Sequence, residues 1–127
     1  MKRYGEAEKA LKKALENPLY KSPHKAFTNL GRVYYRVGKF AEAERAYKSA
    51  LKRVPDFFMA YYGLALTYNA MGRYGDAAEA LTEAIKMDPA FKGDFEKAKE
   101  YFMKIQLKTI DRDTIQDYND LLEILHY

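Results

Sequence analysis

A sequence repeat with a period of 34 residues constrains this chain more than any other feature. Residues of defined size recur at this offset, and conservative aromatic and aliphatic pairs lie between them. A fixed period of this length predicts a stack of similar units, because each unit buries its apolar face against the next. The identical pairs are Leu30/Leu64, Tyr34/Tyr68, Gly38/Gly72, Ala43/Ala77, Ala50/Ala84 and Pro55/Pro89.

Each unit is predicted to form two helices joined by a tight turn. Apolar residues recur at helical spacing in two stretches of the unit, on either side of a glycine. Gly38 and Gly72 lie where the first helix must end, since glycine adopts a positive φ at the lowest cost. Pro55 and Pro89 end the second helix, because proline lacks the backbone donor and restricts the residue before it. We therefore expect an all-α fold of about seven helices, without strands.

Small residues at recurring positions predict close contacts between helices. Gly31 and Ala65 share one such position, and Ala43 and Ala77 share another. Aromatic residues such as Tyr34 lie beside them and fill the remaining space. We expect Gly31→Leu or Ala77→Leu to disrupt folding by overpacking.

The order of these residues resembles the tetratricopeptide repeat (TPR). The resemblance implies antiparallel helix pairs that stack into a right-handed superhelical solenoid. It also implies a concave face, lined mainly by the first helix of each pair, that holds other proteins. The first unit is Phe27-x2-Leu30-Gly31-x2-Tyr34 followed by Gly38, Ala43, Tyr47, Ala50 and Pro55, and the second runs from Tyr61 to Pro89.

The period divides the chain, 1–127, into a single TPR domain with two full repeats, at 24–57 and 58–91. Residues 1–17 match the second helix of a repeat at an offset of 36. We interpret them as the end of a truncated repeat, in a chain cut from a longer protein. An apolar helix face without its partner predicts self-association through these residues. Residues 92–127 are expected to form a degenerate pair of helices that caps the solenoid.

The pattern loosens after the second repeat, where two alignments are open. One matches 93–98 to 38–43 and would require the loss of a helix. The other continues the 34-residue frame and keeps the helix order, and we prefer it although Lys99 then takes a position that is small in both repeats. The last helix begins at Asp111 or Asp113, either of which could cap it. The expected inward residues are Phe95, Ala98 and Phe102 in the first helix of this pair and Ile115, Tyr118, Leu121, Leu122 and Leu125 in the second.

The groove positions of the TPR fold differ from its core positions, and here they hold cations and tyrosines. Arginine and tyrosine often anchor protein interfaces, and the cations suit a partner segment that carries carboxylates. We expect an extended acidic or C-terminal segment of a partner protein to bind there, and the alternative is a merely solvated helix face. Reversing the charge of Arg32 and Arg36 should then leave the melting temperature nearly unchanged. The groove residues are Thr28, Arg32, Tyr35, Arg36 and Lys39 in the first repeat and Tyr62, Leu66, Asn69, Ala70 and Arg73 in the second.

Composition and motifs argue against several other functions. Cysteine is absent, and His24 and His126 are the two histidines, which leaves no thiolate or multi-histidine metal site. The sequence has no Gly-rich phosphate loop or nucleophile motif, so we expect a protein that is not an enzyme and uses no cofactor. The net charge of +4 combines interspersed charges of both signs, which does not favour a nucleic-acid partner. No apolar run of about 18 residues is present to form a membrane span.

A loop before the first full repeat carries a more specific resemblance. The stretch Asn17-Pro18-Leu19-Tyr20-x2-Pro23, followed by Thr28-Asn29-Leu30-Gly31, is similar to the TPR lipoproteins of type IV pilus biogenesis. That resemblance implies a scaffold for secretin assembly, on the periplasmic side of the bacterial outer membrane. The alternative is a generic TPR adaptor of the cytoplasm.

TPR receptors for chaperone tails form another class, and their motif can be compared directly. They clamp a C-terminal carboxylate with lysine, asparagine and arginine from three first helices. The corresponding clamp positions here are Thr28, Arg32, Gly63, Gly93 and Lys97, so the clamp is not present.

An RNA-binding repeat array is a further class, and it would need more units than this chain has.

Overall fold

The computed structural model describes residues 3–127, and this part of the chain consists of seven helices joined by turns, without strands. The expected all-α fold of seven helices is therefore confirmed. Within the same range, no helix is long and apolar enough to cross a membrane. The helices are α1 (Tyr4–Glu16), α2 (Pro23–Arg36), α3 (Phe40–Arg53), α4 (Phe58–Ala70), α5 (Tyr74–Met87), α6 (Phe95–Lys108) and α7 (Arg112–Ile124).

The two full repeats form two hairpins, in which α2 packs against α3 and α4 packs against α5. Gly38 and Gly72 adopt φ values of +83° and +77°, as the sequence predicts for a helix end. The residue after each glycine then donates its backbone N–H to a carbonyl of the last helical turn. These bonds run from Lys39 to Tyr34 at 2.8 Å and from Arg73 to Tyr68 at 2.9 Å.

Tyr47 of α3 lies between two glycines on neighbouring first helices. A Cβ added to Gly31 of α2 would lie 2.8 Å from the Tyr47 ring, and one added to Gly63 of α4 would lie 2.2 Å from it. Tyr47 is almost fully buried, so its ring has little room to move away. Gly31 was expected to be a close contact, whereas Gly63 was not, because its counterparts at the 34-residue offset are the larger residues Asn29 and Lys97.

A tyrosine–glutamate hydrogen bond joins each of the first two pairs of neighbouring units. The Tyr34 hydroxyl of α2 donates to Glu8 of α1 at 2.9 Å, and the Tyr68 hydroxyl of α4 donates to Glu44 of α3 at 3.0 Å. A lysine one turn after each glutamate completes the arrangement, with Lys12 and Lys48 each 2.9 Å from the carboxylate. α1 therefore packs on α2 as α3 packs on α4.

The third junction is built differently. The period replaces Glu44 by Ala78, Tyr68 by Phe102 and Gly63 by Lys97, which removes both the hydrogen bond and the close contact. As a result α6 packs chiefly against α7, and it is α7 that packs against α4 and α5. Continuing the 34-residue frame gives the correct helix order but not this packing.

The inward residues of the last two helices agree only in part with expectation. Ala98, Phe102 and Leu121 are buried, as predicted. Phe95 is 40% exposed, so its predicted core position is wrong, because α6 starts at this residue and does not stack on α5 there. Asp111, one of the two candidates, caps α7 by accepting from the Thr114 N–H at 3.0 Å. Ile115, Tyr118, Leu122 and Leu125 are half-buried, and Ile124 is a buried residue that the sequence analysis did not predict.

Candidate binding groove

Six of the expected groove residues line one small hollow between α2 and α4, and five of them have side chains that are not buried. The hollow has a volume of about 90 Å³, and Asp117 of α7 lies at its edge. These five are polar or aromatic, with one leucine, and we call them the groove cluster. They are Arg32, Tyr35 and Arg36 from α2 and Tyr62 and Leu66 from α4.

Helical spacing explains why the α2 residues share this face. Arg32 and Arg36 are one turn apart, so they lie on the side of α2 that is opposite the buried Leu30 and Tyr34. Thr28 lies a further turn back, but it is 5% exposed and its hydroxyl donates to the His24 carbonyl at 2.9 Å. Thr28 therefore lines the hollow as expected, but its side chain is buried and already bonded.

Arg36 binds a carboxylate from the far end of the chain. Its Nη1 and Nη2 donate to the two oxygens of Asp117 at 3.0 and 2.5 Å, and Asp113 lies 4.0 Å from its Nε. Both side chains of the pair are 18% exposed, and bidentate geometry of this kind gives a strong charge-assisted bond. The acidic helix α7 thus occupies the edge of the groove in which an extended partner segment was expected.

Tyr35 is enclosed by this contact. Burial, followed by the negative charges of Asp117 and Asp120, raises the pKa of Tyr35 to about 12. The Arg36 guanidinium lies 5.5 Å from the centre of the Tyr35 ring, which is a cation–π distance. Tyr35 therefore stays neutral at physiological pH and contributes mainly its ring to the groove.

The end of α7 is held along α4. Tyr127 donates its hydroxyl to Asn69, and its ring lies 5.2 Å from that of Tyr74 in an edge contact. Leu121 and Ile124 join the hydrophobic core beneath. Asn69, an expected groove residue, thus already has a partner from the chain itself.

Two expected groove cations lie elsewhere. Arg73 binds Asp76 at 2.8 Å and Glu44 at 3.2 Å, and its guanidinium lies 4.5 Å from the centre of the Tyr68 ring. Its expected groove position is therefore wrong, because the loop between α4 and α5 directs it toward α3. Lys39 has the equivalent place in the first repeat and is exposed beside Glu8. The pKa of Glu8 is lowered first by the Lys12 hydrogen bond and then by that of Tyr34, with a smaller effect of the Lys39 charge.

An aromatic cleft of about 450 Å³ adjoins the groove cluster between α4, α6 and α7. The Tyr62 hydroxyl donates to Asp88 at 2.8 Å at its wall, and burial and then this bond raise the pKa of Tyr62. The sequence analysis missed the cleft, because it depends on the packing of α6 and α7. Its aromatic lining is Phe58, Tyr62, Phe91, Tyr101, Phe102 and Tyr118.

These features define a helical-repeat protein with a groove along its first helices. Residues 28–90 match the family described as Tetratricopeptide repeat. The chain therefore contains tetratricopeptide repeats, which confirms the family that the 34-residue period indicates.

Two relatives from Arabidopsis thaliana match 82% of this chain. They are Hsp70-Hsp90 organizing protein 3, which is 31% identical over 108 residues, and Hsp70-Hsp90 organizing protein 2, which is 34% identical over 108 residues. The matched segment spans only 19% of the length of each relative. The activities and partners of those whole proteins are therefore not established for this chain.

Two solved structures match 97% of this chain. A crystal structure of MamA is 22% identical with a TM-score of 0.63, and the match covers 69% of that chain. A MamA RS-1 double mutant is 18% identical with a TM-score of 0.60, and 66% of that chain is covered. These likenesses support the solenoid fold and nothing further.

Proposed function

We propose that this chain is a protein–protein interaction scaffold whose groove cluster binds an acidic segment of a partner protein. The Arg36–Asp117 contact carries the proposal. It is a bidentate arginine–carboxylate pair, largely shielded from water, in the groove itself. A guanidinium in this position suits a planar carboxylate better than an ammonium would. The role is one of binding, without catalysis.

The rest of the groove cluster supplies both charge and contact area. Arg32 is exposed beside Arg36, and no carboxylate among residues 3–127 pairs with it. Tyr35, Tyr62 and Leu66 add half-buried apolar surface next to the cations. Charge of this kind steers the encounter with an acidic partner, while the aromatic rings hold the complex.

A comparison of two charge reversals tests this function. Arg32→Glu should weaken the capture of partners from the source cell by roughly tenfold, and the loss should be larger at low salt. Arg45→Glu is the matched control, because Arg45 is a well-exposed arginine on α3, away from the groove. Equal recovery of the same partners with wild type and both variants would refute the groove as the binding surface.

The setting that we propose first is type IV pilus or secretin assembly. The observation in its favour is the loop at 17–23, where Leu19 is 83% exposed and Tyr20 is also exposed. Asn17 shapes this loop by accepting from the Leu19 and Tyr20 N–H groups, each at 3.0 Å. An apolar tip held in this way is suited to a fixed partner in a large assembly.

A generic cytoplasmic adaptor is the alternative setting. Fractionation of the source cell distinguishes the two, because a pilus scaffold should be found with the outer membrane and periplasm, and an adaptor with the cytoplasm. Chaperone tails are a less suitable ligand despite the names of the relatives, since glycines occupy two of the five clamp positions.

A further inference from the structure

We propose that the partner segment is an amphipathic acidic helix, and that α7 is an internal copy of this ligand which the partner must displace. The inference rests on the proposed function and names the partner's chemistry more closely. It replaces the expected extended peptide with a helix.

The first support is the form of the bound segment. α7 offers one stripe at helical spacing that begins with acids and continues with an apolar residue, since Asp113 and Asp117 are one turn apart and Leu121 lies in the next turn. The acidic part of the stripe meets Arg36, and Leu121 enters the core. A groove that binds α7 in this way is shaped for a helix with acidic residues followed by leucines.

The second support is the way in which α7 is held. α2 and α4 are joined to the preceding second helices by tyrosine–glutamate bonds, and the Tyr47 ring packs against both. α7 has neither feature, and its contacts with the groove include Asp113 and Asp117 on Arg36, the Tyr127–Asn69 bond and the buried Leu121 and Ile124. Because α6 packs chiefly against α7, the two helices can leave the groove as a pair.

The third support explains why the displacing helix must be acidic. A displacing helix would shield Arg36 from water as α7 does, and a shielded charge without a carboxylate is strongly unfavourable. A ligand without an acid opposite Arg36 therefore cannot compete. A ligand with a second acid opposite Arg32 would compete better than α7 does, because α7 leaves Arg32 without a carboxylate among the described residues.

A labelled peptide with the sequence of residues 109–127 tests this inference on the full chain. Its affinity should be about tenfold higher for the Asp117→Asn variant than for wild type, since a larger fraction of the molecules then has an open groove. Glu123→Gln is the matched control, because Glu123 is an acid on the same helix whose side chain is exposed. This control should leave the peptide affinity unchanged.

Two further arms test the charge and the fold. A peptide that itself carries Asp117→Asn should lose most of the gain, since Arg36 would again lack a partner. Tyr127→Phe loosens the other end of α7 without exposing a charge, and it should raise peptide affinity by about threefold. If Asp117→Asn fails to fold by circular dichroism, this second variant decides the outcome.

The outcomes are separable from those of the proposed function. Failure of the peptide to bind any folded variant at about 1 mM would overturn the helix inference, while Arg32→Glu would still report on the groove. A dimer of the Asp117→Asn variant that excludes the peptide would assign the groove to α7 of a second copy, which also overturns it. Binding that follows the order Asp117→Asn, Tyr127→Phe, wild type would support it.

Discussion

Asp117 and Arg36 are 81 residues apart in the chain, yet their side chains form two hydrogen bonds across the groove. The contact connects the last helix to the first helix of the first full repeat, and it bypasses the step-by-step order in which a solenoid normally stacks. A repeat protein whose ends are joined in this way should unfold as one unit more than an open array would.

Breaking this pair should lower the stability. We expect Asp117→Asn to lower the free energy of unfolding by about 2 kcal/mol, between the values for buried and exposed pairs. Urea denaturation measures the change, and a double-mutant cycle with Arg36→Gln should give a coupling of similar size. A loss of this size would correct the expectation that reversing the charges of both Arg32 and Arg36 leaves the melting temperature nearly unchanged. We expect the melting temperature to stay nearly unchanged when the charge of Arg32 alone is reversed.

Overpacking at the Tyr47 contact should destabilise the fold. Gly63→Ala and Gly31→Leu each place a Cβ atom too close to the Tyr47 ring, at 2.2 and 2.8 Å, and we expect a loss of about 1–3 kcal/mol for each. Gly75→Ala is the control, because nothing lies within 4 Å of its added Cβ and alanine favours the helix by up to about 1 kcal/mol. Thermal melts in which all three variants behave alike would contradict the packing described.

Alkaline titration should report on the closed groove. The pKa of Tyr35 is raised from 10.0 to about 12, so its neutral form is favoured in the folded state. Its contribution to stability is therefore complete below pH 10 and is lost as the pH rises through about 12. Tyrosinate absorbance, with Tyr35→Phe as the reference, measures this pKa. Asp117→Asn should lower it, and an unchanged pKa would mean that α7 does not enclose Tyr35.

The tyrosine–glutamate bonds should differ in strength. Tyr68→Phe is expected to cost about 1 kcal/mol, since Glu44 is well shielded and also binds Arg73. Tyr34→Phe should cost less, because Glu8 is more exposed than Glu44. Burial opposes ionisation of Glu44, but the hydrogen bonds from Lys48 and Tyr68 outweigh it and lower the pKa of Glu44. The stability that the ionised Glu44 carboxylate contributes is therefore lost as the pH falls through this lowered pKa. Melting of both variants at neutral and acidic pH tests this order.

Self-association through residues 1–17 remains a prediction, and the part of this segment that the structure describes as a helix is α1. Ala43 and Ala50 of α3 are fully buried against α2, whereas their counterparts Ala7 and Ala14 in α1 are half-buried. Ala14→Glu should therefore reduce any dimer seen by sedimentation, while Ala10→Glu on the exposed side should not. A wild-type chain that stays monomeric at high concentration would refute the prediction.

The repeat period was sufficient to predict the helices of both full repeats and their turns. Local spacing determines these features, as Gly38 and Gly72 demonstrate. The position of α7 could not be predicted in the same way, because the Arg36–Asp117 pair belongs to no period. A signal was nevertheless present in the sequence, since Ala78 and Lys97 occupy the positions of Glu44 and Gly63. These replacements indicate that a third unit cannot stack like the first two.

The position of Tyr47 has a mechanical consequence. Its aromatic ring packs between Gly31 and Gly63, so a rigid side chain sets the distance between α2 and α4. Leu81 takes this place at the next junction, and a flexible aliphatic chain makes a softer joint. Under load the solenoid should therefore bend at its C-terminal joint while the two full repeats move as a stiff block.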